Sequence, residues 1–156
     1  MSLFNTQLQE HEQRMGDILA QKLAYQQQMT ARQTAFRATC EATIAPILQA
    51  VRLDMEAAEY DCTLFTMYDQ TDRPWFALVF EPDKGQERDE HTPQLQIWFD
   101  AETDQVRLIP VISAHTPQEI PAEKFARTVQ RDAVTIEVVE QAVRTFIILS
   151  FKTIER

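Results

Sequence analysis

Residues 4–36 read FNTQLQEHEQRMGDILAQKLAYQQQMTARQTAF, and this stretch decides the fold. Its seam residues recur at alternating gaps of four and three, a period of about 3.5 that lets two helices supercoil around each other. Only Gly16 and Pro46 interrupt the helix-forming residues between Leu3 and Ala57. The pattern predicts one long helix whose first part, residues 1–36, is a coiled-coil arm for oligomerisation. The apolar seam residues expected to contact a second copy, most simply in a homodimer, are Phe4, Leu8, Met15, Ile18, Tyr25, Met29 and Phe36.

Three polar residues, His11, Lys22 and Arg32, also occupy seam positions. Polar groups there weaken the core of a parallel dimer and can set register or orientation. The alternative is an antiparallel helical hairpin with a partner helix, including the C-terminal helix of the same chain. About 50 helical residues would span roughly 75 Å, which exceeds the width of a domain of this size. The first half of the helix is therefore expected to need a partner.

The second part of the helix changes its period. Its apolar residues follow steps close to the period of a helix that lies on a globular core. Pro46 should kink the helix near residues 42–45, and a break into two helices there is the alternative. The helix thus continues into a single α+β domain, residues 37–156. The core-facing residues of this part are Phe36, Cys40, Ile44, Ile47, Val51 and Met55.

From Asp61 onward the period changes to two, which is typical of strands. Four strands are predicted at residues 62–68, 74–81, 94–99 and 105–112, and their short polar links favour an antiparallel meander. The second strand is apolar on both faces, so both faces should be covered. The residues expected in the core are Trp75, Leu78, Val79, Leu95, Ile97 and Phe99.

Two helices are predicted after the strands, packed on the sheet. Residues 121–130 show helical spacing. Residues 135–151 contain no Gly, Pro, Asn or Asp, and Asp132 or Thr135 could cap their first turn. Two β-branched runs within residues 134–149 leave a pair of strands as the alternative. The predicted fold class is α+β.

Charge is concentrated in the middle of the chain. The formal net charge is −9, and residues 52–104 contain 14 acidic and four basic side chains. Such a segment repels nucleic acid and anionic lipid and attracts a basic partner, although acidity is also an ordinary route to solubility. No apolar run approaches the roughly 18 residues of a membrane span, and no secretory leader is visible. A cytoplasmic protein with two free thiols, Cys40 and Cys62, is expected.

No motif for catalysis or for a cofactor is visible. Gly16 and Gly85 are the two glycines and neither belongs to a phosphate-binding loop. Nucleophilic catalysis has no support either, since there is no Gly-x-Ser-x-Gly elbow. The best metal-ligating candidates are the acids and the histidine of residues 83–91, yet this segment lacks a calcium-loop pattern and reads as a solvated, mobile loop. No metal and no organic cofactor are predicted.

Aromatic residues concentrate in the strands and could stack nucleic-acid bases, but an acidic surround favours core packing. If one face of the sheet is incompletely covered, it would offer an apolar groove to a peptide, a small ligand or another subunit. The residues predicted to bind a basic or apolar protein segment are Phe76, Phe80, Glu87, Asp89, Glu90 and Trp98.

The predicted function is that of a non-enzymatic, homo-oligomeric interaction protein, an adaptor or chaperone-like module. In size, acidity and layout of helix and sheet, the chain is similar in general character to dimeric secretion chaperones, a likeness that no diagnostic motif carries. The alternative is a small-ligand-binding domain or enzyme with a pocket between the sheet and the C-terminal helix. The polar contacts of that pocket would come from Tyr68, Arg73, Trp98 or Arg107.

Overall fold

A single helical rod forms the first third of the molecule. The computed structural model describes residues 3–67, 74–112 and 122–154. The rod consists of α1 (Leu3–Thr39), a π-helical turn (Cys40–Ile44) and α2 (Ala45–Ala57). The prediction of one long helix is therefore confirmed.

The π-helical turn lies directly before Pro46. Here the N–H of Ala45 donates to the carbonyl of Cys40, one residue further back than in an α-helix. Pro46 has no N–H to donate and its ring would crowd the preceding turn, so a wider turn accommodates it. Ile44 and Ala45 keep helical φ and ψ. The rod is thus disturbed where the sequence predicted, but it is not broken.

The second half of the rod packs on the core through four fully buried side chains. They are Phe36, Cys40, Ile44 and Leu48. Leu48 was not among the predicted core-facing residues, because the π-helical turn shifts the buried face relative to a regular helix. The residues predicted after Ile44 are half-buried against the same core; they are Ile47, Val51 and Met55.

The sheet is an antiparallel meander of five strands, in which strands that follow each other along the chain are neighbours. Each of the four predicted strands is present, with bounds shifted by at most one residue. The strands are β1 (Asp61–Met67), β2 (Trp75–Glu81), β3 (Gln94–Asp100), β4 (Gln105–Val111) and β5 (Arg127–Gln130).

The helix predicted at residues 121–130 is wrong for most of its length. It is replaced by one helical turn, α3 (Ala122–Phe125), and then by β5, in which Val129 pairs with Val106 of β4. The edge of β4 has unpaired backbone groups, and bonding them outweighs a weak helical spacing. The N–H of Arg131 donates to the carbonyl of Asp104 at 2.9 Å and extends this pairing by one residue.

The last helix, α4 (Ile136–Lys152), confirms the predicted C-terminal helix and not the alternative pair of strands. Thr135 is its cap: Thr135 Oγ1 accepts a hydrogen bond from the N–H of Val138 at 3.3 Å. The buried residues Val139, Val143 and Phe146 recur at helical spacing, and Phe146 reaches Phe80 of β2 with ring centroids 6.5 Å apart. α4 therefore covers the sheet as predicted.

The two faces of the sheet have different environments. On the face towards the helices, Phe76 pairs with Ile97, and Ile97 pairs with Leu108. We call the other face the open face; its apolar residues are Phe65, Met67, Trp75, Ala77, Val79, Trp98, Ile109 and Val111.

Four of the six residues expected in the core, Leu78, Leu95, Ile97 and Phe99, are buried as predicted. Trp75 and Val79 are only half-buried, because they lie on the open face. Ala77, between them, is 6% exposed.

Candidate interaction surfaces

The first candidate surface is the apolar seam on the free part of α1. This part is residues 3–24, shorter than the arm predicted at residues 1–36, and below the word arm means residues 3–24 alone. Of the predicted seam residues, Phe4, Leu8, Met15 and Ile18 are 75, 55, 46 and 44% exposed. An apolar stripe of this length is uncommon on a soluble helix that has no partner. Its side chains are available to another protein.

Three further leucines widen this stripe and were missed as site residues. Leu3, Leu19 and Leu23 are 79, 57 and 56% exposed. Leu19 follows Met15 by four residues, and Leu23 follows Leu19 by four, so both lie beside the seam. The spacing of these leucines therefore indicated an apolar surface. A heptad pattern that counts two positions in every seven leaves them out.

The seam changes its role beyond the arm, where it meets the turn between β3 and β4. Tyr25 is 50% exposed, and its hydroxyl donates to Glu102 Oε1 at 3.1 Å. This hydrogen bond raises the pKa of the Tyr25 phenol above its usual value, because only the protonated hydroxyl can donate to the carboxylate. Arg32 donates from one guanidinium nitrogen to the carbonyls of Ala101 and Glu102, both at 2.9 Å.

The remaining seam residues are covered by the chain itself. Met29 is half-buried, and Phe36 is fully buried and stacks on Phe99 with ring centroids 4.4 Å apart. Phe36 is thus a core residue and is not accessible to a second copy. Contact between helix and domain begins at Tyr25, earlier than the boundary predicted at residue 36. Arg32, which sequence reasoning assigned to register or orientation, contacts the turn of its own sheet.

The second candidate surface is the open face of the sheet. Trp98 is 37% exposed and lies against Trp75 with ring centroids 5.9 Å apart. Its indole N–H donates to Gln96 Oε1 at 3.0 Å, and Gln96 in turn donates to Gln94 at 3.2 Å. Phe65, 43% exposed, borders the same face. A partner would meet aromatic rings beside a row of amides.

The predicted groove does not form as one surface. Phe76 and Phe80 are fully buried under the helices, whereas Trp98 lies on the open face. Strand residues alternate between faces, and the pairing of Trp75 with Trp98 fixes which aromatics stay outside. Of the three aromatic residues predicted to bind a partner, only Trp98 is accessible.

The third candidate surface is the acidic loop between β2 and β3. Glu87, Asp89 and Glu90 are all exposed, as predicted for a solvated loop. The two cations of the loop lie over aromatic rings: Lys84 Nζ is 4.7 Å from the centroid of Tyr60, and the Arg88 guanidinium is 5.4 Å from that of Phe65.

Side-chain hydrogen bonds shape the loop. The N–H of Gly85 donates to Asp83 Oδ1 at 3.1 Å, and that of His91 donates to Asp89 Oδ1 at 2.8 Å. Buried Thr92 donates to Glu81 Oε2 at 3.1 Å. With its cations held against rings, the loop presents mainly carboxylates to solvent.

A cavity of about 290 Å³ lies between the sheet, α3 and α4. Its walls are largely apolar, from Leu95, Leu108 and Phe125, and Arg127 donates to Gln141 at its rim, at 3.2 Å. The polar residues expected to serve such a pocket are elsewhere: Trp98 and Arg107 line a separate depression on the open face. Tyr68 and Arg73 lie outside the described residues.

Chemically reactive groups are scarce in the described part of the chain. No three of its His, Cys, Asp and Glu residues lie close enough together to hold a metal ion. Cys40 and Cys62 are free and buried, and burial raises the pKa of each thiol to about 12. Thiolates, the nucleophilic form, are therefore scarce at neutral pH. None of the described helices is sufficiently long and apolar to cross a membrane.

Comparisons with known proteins add no assignment. The chain matches no protein-family model, and neither the curated proteins nor the solved structures contain a significant match.

Proposed function

We propose that this chain is a non-enzymatic, homo-oligomeric interaction protein, an adaptor or chaperone-like module. Its arm pairs with another copy, most simply in a dimer, and its open face and acidic loop bind a partner protein. The observation that carries the proposal is the stripe of large apolar side chains exposed along the arm. Covering one such half-exposed side chain contributes roughly 1 kcal/mol to association.

Sedimentation of the full chain tests self-association. At about 50 µM the unmodified protein should be a dimer, since this concentration exceeds a micromolar dissociation constant, which corresponds to about 8 kcal/mol of association free energy. Met15→Glu combined with Ile18→Glu should give a monomer whose sheet stays folded, as reported by an unchanged near-ultraviolet circular dichroism spectrum, because a charge in the seam is costly to desolvate.

The matched control adds the same charge to the opposite side of the arm. Gln9→Glu combined with Gln13→Glu should leave the dimer intact, because both positions lie away from the seam. A monomeric unmodified protein, or equal dissociation in both variants, would contradict the proposed assembly.

The partner is proposed to be a protein segment that is basic, apolar or both. Peptides selected from a displayed library against the unmodified chain provide the probe. If a peptide binds the acidic loop, its association rate should fall as salt rises. Its affinity should also fall in the variant that combines Glu87→Gln, Asp89→Asn and Glu90→Gln. Binding to the open face should instead tolerate salt and weaken in Trp98→Ser.

A control for the charge change comes from the exposed acids Asp132, Glu137 and Glu140. Converting these to amides alters the net charge equally, so it should leave peptide binding unchanged. If binding survives changes to both the loop and the open face, neither surface is the partner site.

The cavity beside α4 supports the alternative function, a small-ligand-binding domain. This support is weaker than the support that the exposed stripe of the arm gives to self-association. Its volume is near the lower end of those that hold drug-sized ligands. Arg127, the charged side chain among its described lining residues, already donates to Gln141.

A further inference from the structure

We infer that two copies pair through their arms in antiparallel orientation, with the end of each arm reaching the β3–β4 turn of the other copy. This inference rests on the proposed self-association and adds its orientation and register. It follows from which side of the rod carries the arm seam and which side carries the domain.

The arm seam and the domain lie on the same side of the rod. Ile18 precedes Phe36 by about five full helical turns, so their side chains project from one face of α1. Phe36 is the residue that stacks on Phe99 inside the domain. Tyr25 and Arg32, which contact the turn between β3 and β4, continue the same stripe. The domain therefore occupies the space directly beyond the end of the exposed seam.

A parallel partner would run into this domain. The rod continues helically from Leu3 to Ala57, roughly 80 Å, and its wide turn lies within the packed region rather than at the junction with the arm. Two helices paired in parallel along the seam would bring residues 25–57 of each copy against the domain of the other. The contact of Arg32 with the carbonyls of Ala101 and Glu102 already fills that space.

An antiparallel partner meets no such obstacle, because its helix begins at the end that approaches the domain. The seam alternates between heptad positions a and d. In an antiparallel coiled coil each a residue lies opposite a d residue of the partner helix. The two arms can overlap with this a-to-d pairing until each reaches the β3–β4 turn of the other copy. The longest such overlap places Leu8 opposite Ile18 of the partner subunit. His11 then faces the partner's Met15.

In the same register, Phe4 faces the partner's Lys22. The long apolar stem of Lys22 can lie along the ring while its ammonium group reaches water or the ring face. In a parallel pair, two Lys22 ammonium groups would share one layer and repel each other. Antiparallel pairing therefore also gives the charged seam residue a compatible neighbour.

Disulfide trapping in a glutathione redox buffer tests the orientation. Three variants of the full chain are compared: Leu8→Cys, Ile18→Cys and the two combined. A disulfide needs Cα atoms within about 7 Å. Positions 8 and 18 are separated by about 15 Å along one helix, so neither can bond within its own chain.

In denaturing electrophoresis without reductant, the combined variant should run mainly as a covalent dimer. Each single variant should run as a monomer. Covalent dimers in both single variants would show parallel pairing and overturn the inference. A non-covalent dimer that no variant traps would overturn it as well, because the register or the surface would then differ. The unmodified chain, with its two buried thiols, is the control for background oxidation.

These outcomes separate the orientation from the self-association on which it rests. A monomer in sedimentation of the unmodified chain contradicts the proposed function, whereas a dimer with the wrong disulfides contradicts the antiparallel pairing alone.

Discussion

At the scale of single residues, the burial of the two cysteines makes the free energy of unfolding depend on pH. Burial raises the thiol pKa of Cys40 and of Cys62 from 9.0 to about 12. Between these values the unfolded chain releases thiol protons that the folded chain retains, so the free energy of unfolding falls as pH rises. The slope contributed by each thiol is at most about 1.4 kcal/mol per pH unit.

Denaturant titrations at pH 8, 9, 10 and 11 should therefore show a steeper loss of stability in the unmodified chain than in the variant with Cys40→Ala and Cys62→Ala. The alanines lower the starting stability through the cavities they leave, but they remove the thiol contribution to the slope. All other side chains are the same in the two proteins, so they contribute equally to both slopes. Equal slopes would show that the two thiols ionise without unfolding.

At the scale of elements, periodicity made the rod and the first four strands predictable. The seam repeats over ten positions in residues 4–36, and the seven-residue strands are rich in aromatic and β-branched residues and bounded by polar links, so both leave few alternatives. β5 has four residues, too few to show a period, and the unpaired edge of β4 determines it. The accessible aromatic side of the sheet was also hidden, because the pairing of Trp75 with Trp98 cannot be read from either strand alone.

The two faces of the sheet can be distinguished by matched substitutions. Ile97 is fully buried between the sheet and the helices, whereas Ile109, on the neighbouring strand, is half-buried on the open face. Ile97→Ala should reduce the free energy of unfolding by about 2–5 kcal/mol, a large share of a typical total. Ile109→Ala should cost about 1 kcal/mol, since much of its surface already meets water. Equal losses in urea unfolding would show that the open face is covered.

At the scale of the whole molecule, the acidic middle of the chain and the arm are separate in space. Residues 52–104 carry 14 acidic and four basic side chains. The strands β1, β2 and β3 lie within this range, whereas the arm belongs to α1. In the proposed antiparallel dimer the two acidic domains would lie at opposite ends of an overlap about 30 Å long. In a parallel dimer they would lie side by side.

Salt should therefore have little effect on dimer affinity. The overlap spans about three Debye lengths at 0.1 M salt, so the two domains barely repel each other. The dissociation constant from sedimentation should change by less than about threefold between 0.05 and 0.5 M NaCl, the small remainder coming from exposed arm charges. The variant with Glu87→Gln, Asp89→Asn and Glu90→Gln should dimerise as the unmodified chain does. Tightening by about tenfold or more at high salt, abolished in that variant, would place the acidic domains side by side and contradict the antiparallel arrangement.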